Sequence, residues 1–105
     1  MSDFKDLQLR AVEVRQKYAE YNKKNGNDKW GGKELAMGFV GDVGDLVKLV
    51  MAKENLRKID DADIKMAHEL SDCLWSLLVI ADKYNVDLDT SFHKTMRELE
   101  QRIAS

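Results

Sequence analysis

Apolar side chains recur every three or four positions along nearly the whole chain, which is the spacing of amphipathic helices. The first stripe runs from Phe4 to Tyr21, with Ser2 or Asp3 as the predicted cap and Gly26 as the predicted left-handed end. Proline, which interrupts helices, is absent from the chain. The pattern therefore predicts a helical fold that opens with one long amphipathic helix.

Two further helices are predicted in the middle of the chain. The second covers about residues 33–54, and Asn55 is the predicted left-handed residue that ends it. The third begins at a cap supplied by Asp60 or Asp61 and runs to about Tyr84. The connectors between these helices are short, so consecutive helices are expected to pack against one another.

The last helix completes the pattern. Asp87 is its predicted cap, and its apolar stripe runs from Leu88 to Ile103. Four amphipathic helices with short loops predict an all-α four-helix bundle that occupies residues 1–105 as one domain. The segment 73–81 of the third helix is apolar almost all round, which indicates burial on more than one side. We therefore expect homo-oligomerisation, as a homodimer or homotetramer, to complete the core.

Composition narrows the class of protein. The 105 residues include 17 Lys and Arg against 19 Asp and Glu, so the net charge is −2 and broad binding of nucleic acid is not expected. The single cysteine, Cys73, permits no intramolecular disulfide and favours a reducing compartment. The longest apolar run, 73–81, is too short to span a membrane, and residues 1–6 do not read as a secretion signal. A cytoplasmic protein without a membrane or nucleic-acid partner is expected.

Carboxylates occur on helix faces that should be buried. Because each helical residue advances about 100°, Asp42 lies within about 40° of three apolar residues, Leu35, Leu46 and Leu49. Asp45 lies at the edge of the same apolar stripe. This placement differs from that of an ordinary surface acid, which lies opposite the apolar face.

The third predicted helix repeats the arrangement. Glu69 shares its direction with Cys73 and Ile80, and Asp72 lies at the edge of that stripe. Anions that converge in an apolar interior repel one another, and cations or protonation must relieve the repulsion. Oxygen ligands without clustered cysteine or histidine favour Mg²⁺ or Mn²⁺. The alternative is that each pair of acids lies on a solvated helix face.

Three glycines accompany the acids of the second helix. Gly38, Gly41 and Gly44 recur every three residues along the flank beside Asp42 and Asp45. Each weakens a helix interior by about 1 kcal/mol relative to alanine, so another requirement must favour glycine there. Close helix packing and the approach of a ligand are the two alternatives. In both, we expect another group to approach the backbone closely.

These residues resemble a known family. The run Lys-Glu-Leu-Ala-Met-Gly-Phe-Val-Gly-Asp-Val-Gly-Asp-Leu contains Asp42 and Asp45, and Glu-Leu-Ser-Asp on the next helix contains Glu69 and Asp72. This double motif resembles the MazG-like all-α nucleoside triphosphate pyrophosphohydrolases, which carry Glu-x-x-Glu followed by Glu-x-x-Asp. The resemblance covers about residues 30–88 and implies a bundle of the MazG type.

The resemblance also implies an activity. Such enzymes hydrolyse the bond between the α- and β-phosphates of a (d)NTP to give the (d)NMP and pyrophosphate, in some cases to remove unwanted nucleotides. It implies that Asp42, Asp45, Glu69 and Asp72 are metal ligands and catalytic residues for Mg²⁺, with Mn²⁺ as a substitute. One of them would also accept the proton of the attacking water. Divalent ions in such a site neutralise charge and orient the water.

Four further residues are candidate contacts to a nucleoside triphosphate. Trp30 either stacks on the base or covers the end of the bundle. Lys48 either reaches a phosphate or is simply solvated. Lys94 and Arg97 lie on the last helix, where the family often supplies cations for the triphosphate. Of the remaining notable residues, Trp75 is expected in the core or a subunit interface, His68 and His93 at the surface, and Cys73 as an inert core residue.

Two departures from the family motif support a second hypothesis. Both acids of the first pair are aspartates, which shortens each ligand arm by one methylene, and Gly41 replaces the additional leading acid that the family often carries. The alternative function is a catalytically weak relative that acts as a helical binding or regulatory module. A redox di-metal carboxylate protein is disfavoured, because its usual Glu-x-x-His would need histidine where this chain has Asp72.

Overall fold

Four α-helices and no strands make up the part of the chain that the computed structural model describes, residues 3–26 and 31–104. In chain order they are α1 (Phe4–Lys24), α2 (Gly32–Lys53), α3 (Ala62–Lys83) and α4 (Leu88–Ala104). The predicted all-α class and the order of the helices are confirmed. The helix boundaries fall within one or two residues of those expected from the sequence.

Local signals in the sequence account for most of the helix ends. Asp3 caps α1 by accepting a hydrogen bond of 3.0 Å from the Asp6 backbone N–H. Gly26, Asn55 and Asn85 follow the ends of α1, α2 and α3 with positive φ angles of 77°, 61° and 57°. Glycine and asparagine tolerate this left-handed conformation best, and so they reverse the chain after a helix at low cost.

The starts of α3 and α4 differ in how they are capped. Asp61 occupies the cap position of α3 in a left-handed conformation, but its side chain makes no capping hydrogen bond. The predicted position of the cap is therefore confirmed, whereas the side-chain hydrogen bond typical of such a cap is absent at Asp61. Asp87, by contrast, accepts hydrogen bonds from the backbone N–H of Thr90 at 3.2 Å and from its hydroxyl at 2.9 Å. These two bonds lower the pKa of Asp87.

Helix α3 is the central helix, and α1 and α2 both pack against it. A cluster of buried core residues joins α1, α2 and α3, and its members are Ala11, Leu35, Leu78 and Val79. Trp75 packs at the edge of this core, and its indole N–H donates a hydrogen bond of 3.1 Å to the Ala11 carbonyl oxygen. This bond ties α3 to α1 and places the ring beside the acidic residues of α2 and α3.

The apolar segment 73–81 of α3 is buried on two sides. Its buried members are Cys73, Ser76, Leu78, Val79 and Ala81. Leu74 and Leu77, in contrast, keep 42% and 43% of their surface exposed. The expectation of burial on more than one side is confirmed, but a third side of α3 remains exposed within one chain.

Helix α4 packs only slightly against the rest of the chain. Leu88, in its first turn, contacts the core, whereas Phe92, Leu99 and Ile103 are exposed. The radius of gyration is 16.5 Å, whereas a compact domain of this length has about 13 Å. Completion of the core by further copies remains a prediction. Across the described ranges, none of the helices is both long enough and apolar enough to cross a membrane.

Candidate metal and ligand site

Three of the four predicted acids converge between α2 and α3. Asp42, Glu69 and Asp72 each offer a carboxylate oxygen, and these oxygens lie within 4.8 Å of one another. All three residues are half-buried. The helical repeat explains the placement, because Glu69 and Asp72 are three residues apart on α3 and face the stripe of α2 that carries Asp42.

The acids of this cluster strongly favour a cation or a proton. Burial, followed by the charges of Asp72 and Asp45, raises the pKa of Asp42, against a lowering by His68. Burial is also the largest cause that raises the pKa of Glu69, and the charges of Asp42, Asp45 and Asp72 add to it. Glu69 Oε2 is buried and has no hydrogen-bond partner among the described residues. An unpartnered buried carboxylate oxygen fits an oxygen-seeking cation.

These pKa shifts predict how stability depends on pH without metal. Burial and the neighbouring acids raise the pKa of Glu69 above its ordinary value of 4.5, so the ionised side chain destabilises the fold. This destabilisation is complete above the folded pKa and fades as the pH falls below the ordinary value. We expect Glu69→Gln to raise the melting temperature at pH 7 with chelator present, and this gain should disappear at acidic pH, as measured by circular dichroism. An equal gain at both pH values, or none at pH 7, would contradict the repulsion between these acids.

Asp45 lies beside this cluster and is not part of it. Its carboxylate is exposed and lies 3.8 Å from Lys48 Nζ. Its charge nevertheless contributes to the raised pKa values of Asp42 and Glu69. The structure therefore brings three predicted ligands together, and the role of Asp45 as a fourth remains a prediction.

His68 is closer to the acids than its position in the sequence suggested. Its side chain is 71% exposed, as expected for a surface residue, but Nε2 lies 3.1 Å from Asp72 Oδ2. The sequence could have indicated this contact, because side chains four residues apart lie on the same face of a helix. His93, on α4, is also exposed and contacts Asp89 at 3.3 Å.

Cys73 behaves as an inert core residue. Burial raises the pKa of its thiol, and the charges of Asp42, Glu69 and Asp72 raise it further. The thiol therefore stays protonated at neutral pH, and only carboxylates in this cluster are ready metal donors. This agrees with the expectation from the sequence.

A cavity of about 610 Å³ opens beside the acids between α1, α2 and α3. We call it the aromatic cavity; the acids Asp42 and Asp72 line it together with the aromatic residues Tyr18 and Trp75. The two rings lie 6.2 Å apart at an angle of 58°. Its volume falls in the range of small-molecule sites. Trp75 thus lines a cavity at the edge of the core, which the sequence did not indicate.

Two polar residues of α1 also line the aromatic cavity. Arg15 and Asn22 are both half-buried, and both supply hydrogen-bond donors. Neither residue was a candidate from the sequence, because no spacing rule relates a residue of α1 to acids that lie much later in the chain. Only the packing of α1 against α3 shows the relationship.

A second cavity of about 430 Å³ lies on another side of the acids. Its lining combines the aliphatic residues Leu49, Ile59 and Ile64 with Lys48, Lys65, His68, Asp45 and Glu69. We call it the basic cavity after its two lysines. Lys48, a predicted substrate contact, therefore lines the same cavity as Glu69. Lys65 was not predicted.

The other predicted substrate contacts lie away from the two cavities or outside the described residues. Lys94 and Arg97 are exposed on α4, and neither lines the aromatic or the basic cavity. Trp30 lies outside the described residues. For Lys94 and Arg97, contact with a triphosphate remains a prediction.

Two of the three glycines beside the acids, Gly41 and Gly44, have open space around them among the described residues. A Cβ atom added at Gly41 or Gly44 would meet no neighbouring atom within 4 Å. The expected close approach to the backbone at these two positions is therefore wrong within a single chain. The reason is that α3 packs against the face of α2 that carries Leu35 and Leu49, which are buried.

Comparison of the chain with protein-family models, curated proteins and solved structures finds no match. The class that the structure itself defines is an all-α protein in which carboxylates of two packed helices converge beside a ligand-sized cavity.

Proposed function

We propose that the protein is a Mg²⁺-dependent nucleotide pyrophosphohydrolase that converts a (d)NTP to the (d)NMP and pyrophosphate. The observation that carries the proposal is the convergence of Asp42, Glu69 and Asp72 oxygens within 4.8 Å, in the positions of the MazG-like motif. A role in removing unwanted nucleotides in the cytoplasm, by a homodimer or homotetramer, belongs to the same proposal.

The donor set fits magnesium. Carboxylate oxygens are the ligands that Mg²⁺ prefers, and the unpartnered Oε2 of Glu69 supplies one that no described group satisfies. Mg²⁺, or Mn²⁺ in its place, would supply the charge neutralisation that cleavage of a phosphoanhydride bond requires. Asp42, Glu69 and Asp72 would hold it, and Asp45 adds negative charge from the exposed side.

The aromatic cavity suits the nucleoside. Tyr18 and Trp75 offer aromatic faces for stacking on a base, and the hydrogen bond from Trp75 to Ala11 keeps the indole in place. Arg15 and Asn22 offer donors for the polar edge of a base or for the sugar. Stacking of this kind accepts many bases, so discrimination between bases would fall to the polar residues.

The basic cavity suits the phosphates. Asp42 and Asp72 line the aromatic cavity, whereas Asp45 and Glu69 line the basic one, so the acids lie where the two cavities approach each other. A nucleotide with its base in the aromatic cavity would place its phosphates beside the acids. Lys48 and Lys65 would then attract the departing pyrophosphate.

Two observations favour the second candidate, a helical binding module with little or no catalysis. Asp45 does not join the other acids, and the cations of α4 do not line either cavity. A site with three converging carboxylates and few cations retains ligand binding more easily than rapid hydrolysis.

A panel of standard and modified (d)NTPs separates the two functions. Each nucleotide is incubated with the protein and Mg²⁺, with a chelator control, and the products are identified by ion-exchange chromatography. The proposal predicts magnesium-dependent formation of monophosphate and pyrophosphate from at least one nucleotide. Release of orthophosphate alone, or binding without turnover across the panel, would contradict it.

A further inference from the structure

One face of α2 carries an exposed row of residues that no described part of the chain covers. Its members share alternating separations of four and three residues, as in the contact seam of paired helices. We call this row the α2 stripe; it consists of Lys33, Met37, Val40, Gly44, Val47 and Met51 of α2, together with Glu54, which directly follows the helix. At about 100° per residue, it lies opposite Asp42 and therefore opposite the candidate site.

The α2 stripe is exposed although most of it is apolar. Met37 and Val40 are 65% and 69% exposed, and Val47 and Met51 are 52% and 37% exposed. Gly44, at the centre, has open space around it. A glycine in a helix interior costs about 1 kcal/mol relative to alanine, and nothing within the chain explains that cost here.

The order of residue types in the α2 stripe is the same in both directions from its central glycine, with separations of four, three and four residues on one side and three, four and three on the other. On each side of Gly44 come a valine, a methionine and then a charged residue, and only the sign of that charge differs. Lys33 stands at one end and Glu54 at the other. Such a pattern is complementary to itself when two copies run antiparallel.

We infer that α2 pairs with α2 of a second copy of this chain, antiparallel about a two-fold axis at Gly44. Val40 then contacts Val47 of the partner subunit, and Met37 contacts the partner's Met51. Lys33 lies beside the partner's Glu54, so each end of the interface holds one pair of opposite charges. The missing side chain at Gly44 lets the two backbones approach at the axis.

Self-complementarity favours a second copy over an unrelated partner. In a two-fold interface the same patch serves both copies, so each residue and its counterpart must match each other. An unrelated partner imposes no such symmetry on the sequence of one helix. The proposal does not rest on the proposed function, because the α2 stripe and the acids occupy opposite sides of α2.

Cysteine cross-linking tests the position of the axis. Two cysteines form a disulfide when their Cα atoms lie within about 7 Å, and Gly44→Cys would bring such a pair together at the axis. Gly41→Cys is the matched control, because Gly41 has the same open surroundings but lies away from the α2 stripe. We expect Gly44→Cys to give a covalent dimer under mild oxidation and Gly41→Cys to give little. Equal cross-linking of both variants, or none at Gly44→Cys, would overturn the proposal.

Solution mass tests the interface without a covalent bond. Light scattering should show an assembly of at least two copies, and Val40→Glu should raise the dissociation constant by at least about tenfold because it buries an unpartnered charge. Ile103→Glu, at an 85% exposed position on α4, should leave assembly unchanged. Circular dichroism shows whether each variant keeps its helices. A monomeric native chain, or an assembly that Val40→Glu leaves intact, would overturn the proposal.

Charge reversal tests the antiparallel register. Lys33→Glu would face the partner's Glu54, and Glu54→Lys would face the partner's Lys33, so each single variant should weaken assembly several-fold. The double variant restores opposite charges and should recover the native dissociation constant. Additive weakening in the double variant would overturn the register.

Discussion

Replacing Glu69 with glutamine is expected to reduce magnesium-dependent pyrophosphate release by more than about a hundredfold. Loss of a residue that only supports a metal ligand already costs 10–100-fold, and loss of a ligand should cost more. Glu69 is the decisive position because its Oε2 is buried without a partner and lies in the group with Asp42 and Asp72. The measurement is the initial rate of pyrophosphate formation with the best nucleotide of the panel.

Two controls separate lost chemistry from lost folding. Glu98→Gln makes the same chemical change at an exposed position of α4 and should retain full activity. The helical circular dichroism of Glu69→Gln should match that of the native chain, because the change removes a charge that burial and the neighbouring acids disfavour. If Glu69→Gln kept the native rate of pyrophosphate formation, the assignment of Glu69 as a metal ligand of the catalytic site would be wrong.

The second large effect is expected in the core. Leu78→Ala should lower the free energy of unfolding by about 2–5 kcal/mol, the usual cost of truncating a buried leucine. Leu78 is only 3% exposed, and it belongs to the small core that joins α1, α2 and α3. Because few other residues are buried, we expect this one change to leave much of the protein unfolded near body temperature.

Leu74→Ala is the matched control on the same helix. Leu74 keeps 42% of its surface exposed, so its truncation removes less buried apolar surface and should cost clearly less than the change at Leu78. Urea unfolding followed by circular dichroism gives both values. If both variants lost the same free energy of unfolding, the face of α3 that carries Leu78 would not be more buried than the face that carries Leu74.

The helices were predictable because their ends depend on nearby residues. The caps at Asp3 and Asp87, and the left-handed residues Gly26 and Asn55, act within a few residues of the helix that they start or end. The loose packing of α4 was not predictable in the same way. An apolar stripe shows which face of a helix seeks contact, but it does not show which surface of the molecule supplies it.

The candidate site could likewise be predicted only in part, because some of its features depend on helix packing. Helical spacing was sufficient to place Asp42 and Glu69 on inward faces, and the structure brings them together with Asp72. Spacing placed Asp45 and Asp72 alike at the edges of their stripes, so it could not show that Asp72 joins the group while Asp45 stays exposed beside Lys48. It also could not show that residues of α1 line the neighbouring cavity, because that contact depends on how the helices pack.

Mn²⁺ binding, followed by electron paramagnetic resonance, can be measured on the metal site alone, without substrate or turnover. We expect saturable Mn²⁺ binding to the native chain, displacement by Mg²⁺, loss of binding in Glu69→Gln and retention in Glu98→Gln. A native chain that binds no Mn²⁺, or a Glu69→Gln variant that binds it unchanged, would contradict the claim that these carboxylates hold a divalent cation.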